Sequence, residues 1–206
     1  MRKILAPVLF VFTAAALLTG CKKNAESSLT PVTLNEVAHS IFYAPQYAAI
    51  ELGYFEEEGI DLTLVNGAGA DKVMTALVSG DADIGFMGSE ASIYTYIQGD
   101  DDYAVNFAQL TQRAGNFLVG RTPEADFKWE NLIGKKVLGG RAGGMPQMVF
   151  EYILKKNGID PKADLTMDQS IQFGLTAAAF TSDQSDYTVE FEPFATGLEL
   201  EGNGYV

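Results

Sequence analysis

The second half of this 206-residue chain repeats the first in order and at nearly constant spacing. Pro45-Gln46 returns as Pro146-Gln147, 101 residues on. Gly59-Ile60-Asp61 returns as Gly158-Ile159-Asp160, 99 residues on, and Asp83 and Ser89 return as Asp186 and Glu192, 103 residues on. Such a period is far longer than the roughly 20–50 residues of a solenoid repeat. It is long enough for each copy to build a core of its own. The chain is therefore expected to form two lobes of like architecture. The boundary is expected near Thr111–Asn116, where apolar residues ending at Leu110 give way to polar ones.

Within each half the hydrophobic period switches between that of a strand and that of a helix. The first half reads as a strand through Val32 and Leu34 and a helix led in by Pro45, whose missing N–H costs nothing at a helix start. A turn at Tyr54–Glu58 follows, then an alternating strand over Ile60, Leu62 and Leu64. Asp71 is expected to cap the next helix, with Val73, Leu77 and Val78 inward and Gly80 at its end. Strands are predicted at Ile84–Met87 and Val105–Leu110, with a helix capped by Ser89 between them. The second half reads as strands at Phe117–Val119 and Val137–Leu138, then a helix from Pro146 with Met148, Val149, Tyr152 and Ile153 inward. Leu165–Met167, a helix around Phe173–Phe180, a strand at Tyr187–Phe191 and a helix from Pro193 complete the order. Trp129 reads as packing in a turn. Alternating strands and helices imply an α/β fold, each lobe a mostly parallel sheet flanked by helices.

The N-terminus stands apart from the repeat. Arg2 and Lys3 precede an apolar run, Ile4 to Leu18, of 15 residues, shorter than the roughly 20 that span a bilayer. A basic start, a short apolar stretch and a small-residue exit are the parts of an export signal. The exit, Leu18-Thr19-Gly20-Cys21, resembles the bacterial lipobox, which implies a lipidated Cys21. Residues 1–20 are thus expected to be a lipoprotein signal peptide and 21–31 the lipidated Cys and a polar tether. Lobe 1 is expected over 32–113 and lobe 2 over 114–206. A lipid would anchor the protein to the outer face of the cytoplasmic membrane without making it span.

Composition excludes several classes. With 14 Lys and Arg against 27 Asp and Glu, the net charge is −13, which argues against nucleic acid as a partner. A single cysteine and a single histidine, Cys21 and His39, exclude an internal disulfide framework, a Cys-based zinc site and a multi-His metal centre. A Ser-His-Asp triad would have to use His39. No cofactor is expected.

Four segments together resemble a known group: Gly53-Tyr54-Phe55-Glu56-Glu57-Glu58-Gly59-Ile60-Asp61, Leu77-Val78-Ser79-Gly80-Asp81-Ala82-Asp83-Ile84-Gly85, Leu132-Ile133-Gly134-Lys135-Lys136-Val137 and Phe191-Glu192-Pro193. The ordered set is similar to the substrate-binding proteins of ABC importers with the type II periplasmic-binding fold, in the branch for nitrate, sulfonates, taurine and thiamine pyrimidine precursors. The resemblance covers most of Val32 to Val206. It implies a monomeric receptor that closes on a small solute, hands it to ABC permease subunits and catalyses nothing. Members of the branch run on for about another 100 residues, which return to complete the first lobe. The chain stops at Tyr205-Val206, so a truncated chain with apolar surface bared on lobe 1 is expected.

Ligands of open parallel sheets sit at the carboxyl ends of strands, beside helix N-termini. Four loops meet that description. In Ala38 to Ala44, Ser40 can donate a hydrogen bond and Phe42 and Tyr43 can stack on a flat ligand or pack the lobe; His39 is a contact or a satisfied loop residue. Ser89 and Glu90 open a helix suited to an anion or carbonyl. In Gly140 to Met145, Gly143 and Gly144 allow close backbone approach, Met145 precedes the Pro-led helix, and Arg141 can pair with an anion. The loop lacks the lysine of a P-loop and the spacing of a dinucleotide fingerprint. In Glu190 to Pro193, alternation puts Glu190 and Glu192 on one face and Phe191 on the other. The resemblance implies that the acid before the proline, Glu192, lies at the cleft, where a carboxylate favours an amino or amidine-like group. Gln109, Thr111 and Gln112 are further polar candidates.

Ligand class stays open between an aminopyrimidine-like heterocycle, favoured by Glu192 and the aromatics, and a sulfonate-like anion, favoured by Arg141 and the helix starts. Two other roles compete with transport. One is a pyrimidine-forming enzyme of thiamine synthesis, whose Cys-rich motif has no counterpart after Cys21. The other is a sensory domain for a signalling receptor.

Overall fold

The structure, a computed structural model, describes residues 29–99, 102–182 and 185–206. The segment expected to be a signal peptide, residues 1–20, and Cys21 lie outside the described residues. Two sheets carry the fold. The first is built from β1 (Thr30–Glu36), β2 (Ile60–Asn66) and β3 (Ile84–Phe86) in the order β2-β1-β3, all parallel. Helices α1 (Ala44–Glu51), α2 (Tyr54–Glu57), α3 (Ala70–Ser79) and α4 (Glu90–Gln98) connect and follow these strands. The second contains β4 (Asn116–Gly120), β5 (Lys136–Leu138), β6 (Thr166–Asp168) and β7 (Tyr187–Phe191) in the order β4-β7-β5-β6. Only the β4–β7 pair in it is antiparallel. Its helices are α5 (Met145–Lys156), α6 (Thr176–Thr181) and α7 (Phe194–Leu200).

The internal repeat is visible at single hydrogen bonds. In the first lobe the Thr33 N–H donates to the Asp83 carboxylate at 2.8 Å and the Asp83 N–H returns to the Thr33 carbonyl at 2.9 Å. In the second, the Lys136 N–H donates to Asp186 at 2.8 Å and the Asp186 N–H returns to the Lys136 carbonyl at 2.8 Å. Each aspartate thus locks the strand it precedes to a parallel neighbour 50 residues upstream. A short side-chain acceptor serves here because one oxygen must accept from a backbone N–H beyond the regular ladder.

The helices follow local chemistry. Pro146 opens α5, and Lys155 and Lys156 lie in its last turn, where cations suit the negative end of the helix dipole. Gly80 ends α3 with φ of 80°, a left-handed conformation that glycine adopts at little cost. Asp71 lies in the first turn of α3 but does not cap it; Gly69 occupies the cap position.

One interior stripe is rotated from the sequence expectation. In α5, Phe150 and Leu154 are buried, whereas Tyr152 and Met148 face outward. In α3, Val73 is buried and Leu77 packs on the core as expected, Met74 is buried beside them, and Val78 alone of the expected stripe is exposed. Helix α5 is apolar over more than one stripe, so periodicity fixed its period but not its phase. The predicted strand at Val105–Leu110 is absent: no strand pairs there, and Val105, Phe107 and Leu110 are exposed. A short apolar run has strand form only where another strand meets it. Helix α6 starts at Thr176, leaving Phe173 in the preceding turn.

The second sheet is packed on both faces. Leu132, Val137, Phe150, Leu154, Ile159 and Val189 form one apolar cluster, and Val119, Leu138, Phe180, Ala195 and Leu198 another. The first sheet has a smaller cluster of Ala70, Met74 and Ala91, with Val37, Leu77, Met87 and Ala104 against it. Among the described residues no helix is long and apolar enough to cross a membrane.

Candidate functional site

The carboxyl ends of β1, β3, β5 and β7 converge on one cavity of about 340 Å³ between the lobes. Parallel sheets create this geometry because every βα turn emerges on the same edge. The cavity collects Ser40, Phe42, Tyr43, Glu90, Thr111, Arg141, Gly143, Gly144 and Met145 from the residues expected at the site. Ser89 and Glu192 are not among its walls.

Lobe 1 supplies an aromatic wall. Tyr43 packs against Phe86 with ring centroids 4.3 Å apart, and Phe42 stands 5.7 Å from Tyr43. Phe42 also faces Phe191 of lobe 2 at 6.1 Å, and Phe191 meets Phe173 at 5.0 Å. Flat apolar faces therefore approach the cavity from both lobes. Burial, with Glu36 close by, pushes the Tyr43 hydroxyl up to about 12, so it stays a neutral donor across the physiological range.

The turn carrying Ser40, Phe42 and Tyr43 is held from behind. Glu36, fully buried at the end of β1, accepts from Gln46 Nε2 at 2.9 Å and from the Tyr47 hydroxyl at 2.9 Å. His39 Nδ1 lies 3.0 Å from the same carboxylate, and its ring stacks on Tyr47 at 4.3 Å. His39 thus braces the loop and is not a wall of the cavity. The Ser40 hydroxyl accepts from the Phe42 N–H at 3.3 Å.

Two carboxylates face the cavity from opposite lobes. Glu90 begins α4, is 2% exposed, and its Oε2 has no hydrogen-bond partner. Burial pushes its carboxyl above the usual range, against an opposite pull from backbone N–H groups at Glu90 and Met145. Gly88 makes room for it, since a Cβ there would stand 1.9 Å from Oε2. Glu190, also 2% exposed, accepts from the hydroxyls of Thr176 at 2.9 Å and Thr188 at 2.7 Å. Burial raises its carboxyl and the two threonines oppose the shift. Asn116 Oδ1, on the same cavity, is a second buried acceptor without a partner.

The acid at the cleft is therefore Glu190 and not Glu192. Strand β7 ends at Phe191, so alternation no longer governs the next residue. The Glu192 carboxylate turns to the start of α7, accepting from the Thr196 N–H at 3.1 Å and hydroxyl at 2.9 Å. Sequence alternation puts both acids on one face and cannot say which is followed by the turn.

The Gly-rich loop is built differently from an anion cradle. The Ala142 N–H donates to the Gln169 carbonyl at 3.0 Å, and the Gly144 N–H to the Arg141 carbonyl at 3.2 Å. The Gly143 N–H donates to Gln147 Oε1 at 2.7 Å. Three successive donors are consumed inside the protein. Arg141 Nη2 pairs with Asp71 Oδ2 at 2.7 Å. Nothing in the sequence marks that pair, which joins residues 70 positions apart. Gln109, Gln112 and Arg113 line the crossover side of the cavity, and the Gln109 amide donates to the Thr111 carbonyl at 2.9 Å. Among the described residues, no group of three or more His, Cys, Asp or Glu is placed to hold a metal ion.

Known proteins share this framework. The chain is 49% identical over 189 residues to the candidate binding protein YtlA of Bacillus subtilis (strain 168), covering 92% of this chain and 56% of the relative. It thus spans little more than half the length of that relative. A solved Bordetella bronchiseptica RB50 protein superposes with a TM-score of 0.68 at 22% identity, over 86% of this chain and 56% of the other. The periplasmic aliphatic sulphonate binding protein SsuA of Escherichia coli superposes with a TM-score of 0.63 at 16% identity, over 87% and 60%. The periplasmic nitrate-binding protein NrtA of Synechocystis PCC 6803 does so with 0.63 at 18%, over 86% and 50%. At such identities these likenesses establish the periplasmic-binding-protein fold. The sequence profile of the family described as NMT1/THI5 like matches residues 41–204, and with the close relative this places the chain in the NMT1/THI5-like family.

Proposed function

We propose that the protein is the extracytoplasmic receptor of an ABC importer and captures a small, flat, amine-bearing solute of the aminopyrimidine class between its lobes. The observation that carries this reading is Glu90: a buried carboxylate with an unpartnered oxygen on an aromatic-walled interlobe cavity. An unpaired buried acceptor is costly unless a ligand brings a donor. Asn116 Oδ1 makes the same demand, and the aromatic faces suit a planar ring. Glu190 would face the solute from the second lobe. The solute would stabilise the form in which the lobes are closed on it, and that form would dock on permease subunits. The protein would work as a monomer held to the membrane by a lipid on Cys21. Its task would be binding without turnover.

A sulfonate or nitrate is less well served. The N–H groups of Ala142, Gly143 and Gly144 are engaged within the protein and Arg141 is already paired. The test is isothermal titration of the full chain with 4-amino-2-methylpyrimidine, taurine and nitrate. Saturable binding of the aminopyrimidine, weakened by Glu90→Gln, is expected. Tighter binding of taurine or nitrate would overturn the ligand class, and a folded protein that binds none of the three would overturn the reading.

A further inference from the structure

We infer that Asp71 is a specificity-determining residue: it clasps Arg141 across the cleft and withholds that cation from anionic solutes. The inference rests on the receptor reading above, and deepens it by naming what the cavity refuses. Arg141 projects from the Gly-rich loop of lobe 2, and Asp71 lies in the first turn of α3 in lobe 1. Their 2.7 Å contact joins the two lobes at the cavity that both residues line.

The contact has a bed made for it. The Arg141 guanidinium lies against Gly69, where an added Cβ would stand 3.2 Å from Nε, 3.4 Å from Cζ and 2.6 Å from Asp71 Oδ1. Gly69 has φ of 148°. A Cβ there would stand too close to Asp71 Oδ1 for the clasp to keep its present geometry.

The clasp also settles the charge of the interior. Arg141 is the half-buried cation of the cavity, with 23% of its side chain exposed, whereas Arg113 stands exposed at the crossover side. Glu90 and Glu190 remain as acceptors on the walls. With Arg141 engaged, a sulfonate in the interior of the cleft meets carboxylates and a guanidinium that already holds an anion, while Arg113 offers its charge only from the exposed rim. Asp71, itself half-exposed at the rim of the cavity, is thus an anion of the protein that competes for the donors a solute anion would use. A guanidinium pairs with a carboxylate or a sulfonate through the same charge-assisted hydrogen bonds, so a solute must displace Asp71 to reach it.

The test uses the full chain, with methanesulfonate as the anionic probe and isothermal titration as the readout. Asp71→Asn is expected to bind methanesulfonate about fivefold more tightly than the wild type, the upper worth of a half-exposed ion pair. Asp71→Ser should do the same, and Asp71→Asn with Arg141→Gln should lose the gain. Amide exchange read alongside should quicken in residues 69–73 and 140–145 of both Asp71 variants. Methanesulfonate affinity within twofold of wild type in both variants, or a gain that survives Arg141→Gln, would overturn the inference. The wild-type aminopyrimidine titration decides the receptor reading separately, because the clasp is read from ratios between variants and not from that ligand.

Discussion

Replacing Glu90 by glutamine should stabilise the empty protein and impair its binding. The carboxylate is buried at the head of α4 with Oε2 unpartnered. Leaving such a group unsatisfied costs about 1–3 kcal/mol. Its negative charge at a helix N-terminus returns only about 0.3–1 kcal/mol. Neutralising it should therefore gain roughly 1–2 kcal/mol near neutral pH, or ~2–8 °C in Tm for a protein of this size. The dependence on pH fixes the cause. Because burial raises the Glu90 carboxyl in the fold, the folded state is disfavoured wherever the group must ionise. Its contribution is intact below the ordinary carboxylate range, near about 4.3, and is lost as pH rises through the elevated folded value. Thermal melts of wild type and Glu90→Gln at pH 7.5 and pH 4.0 should thus differ at the first pH and converge at the second. Titration with 4-amino-2-methylpyrimidine should show a loss of about 10–100-fold, the worth of one hydrogen bond to a charged group. A variant no more stable than wild type at pH 7.5 would refute the reasoning, since it would mean the carboxylate carries no desolvation penalty awaiting a ligand.

Three further outcomes are expected. Gly88→Ala, whose Cβ would collide with the Glu90 carboxylate at 1.9 Å, should lose aminopyrimidine affinity in titration without the stability gain of Glu90→Gln. Glu192→Ala should leave that affinity within about twofold, while lowering stability in urea melts by about 0.5–2 kcal/mol, because its carboxylate caps α7 and does not face the cavity. Asp83→Ala and Asp186→Ala should each cost roughly 0.5–1.5 kcal/mol in the same melts by removing the equivalent hydrogen bonds from the Thr33 and Lys136 N–H groups; unequal losses, with one near zero, would show that the repeated bond is not a repeated support.

The lobed plan was legible in the sequence because it is written twice. Pro45 and Pro146 open helices, and Asp83 and Asp186 lock strands, at the positions the repeat marks. Chemistry tied to neighbours in sequence could be read: strand β7 falls on Tyr187–Phe191 as expected, and Gly80 ends its helix. What depends on distant partners could not. The phase of α5 follows from the sheet it meets, so Phe150 and Leu154 are buried where Met148 and Tyr152 were expected. The clasp partner of Arg141 lies on the other lobe. The Glu190 and Glu192 pair shows the same limit at short range, since the end of a strand decides which acid looks inward and alternation alone does not announce that end.

The matched aspartate locks also bear on the order in which the protein assembles. Each joins positions 50 residues apart, so closing the loop behind it costs the same chain entropy in either lobe. Loop length therefore gives neither lobe a lead in refolding. The lead falls to the lobe that gains more on closure, and among the described residues lobe 2 buries an apolar cluster on each face of its sheet while lobe 1 shows one smaller cluster. Lobe 2 should form first and act as the template, with lobe 1 joining it. The cavity, walled by both, then comes into being at the last step of folding and is dismantled at the first step of unfolding. A bound solute would accordingly slow the loss of lobe 1 above all, turning ligand occupancy into kinetic protection of the weaker half.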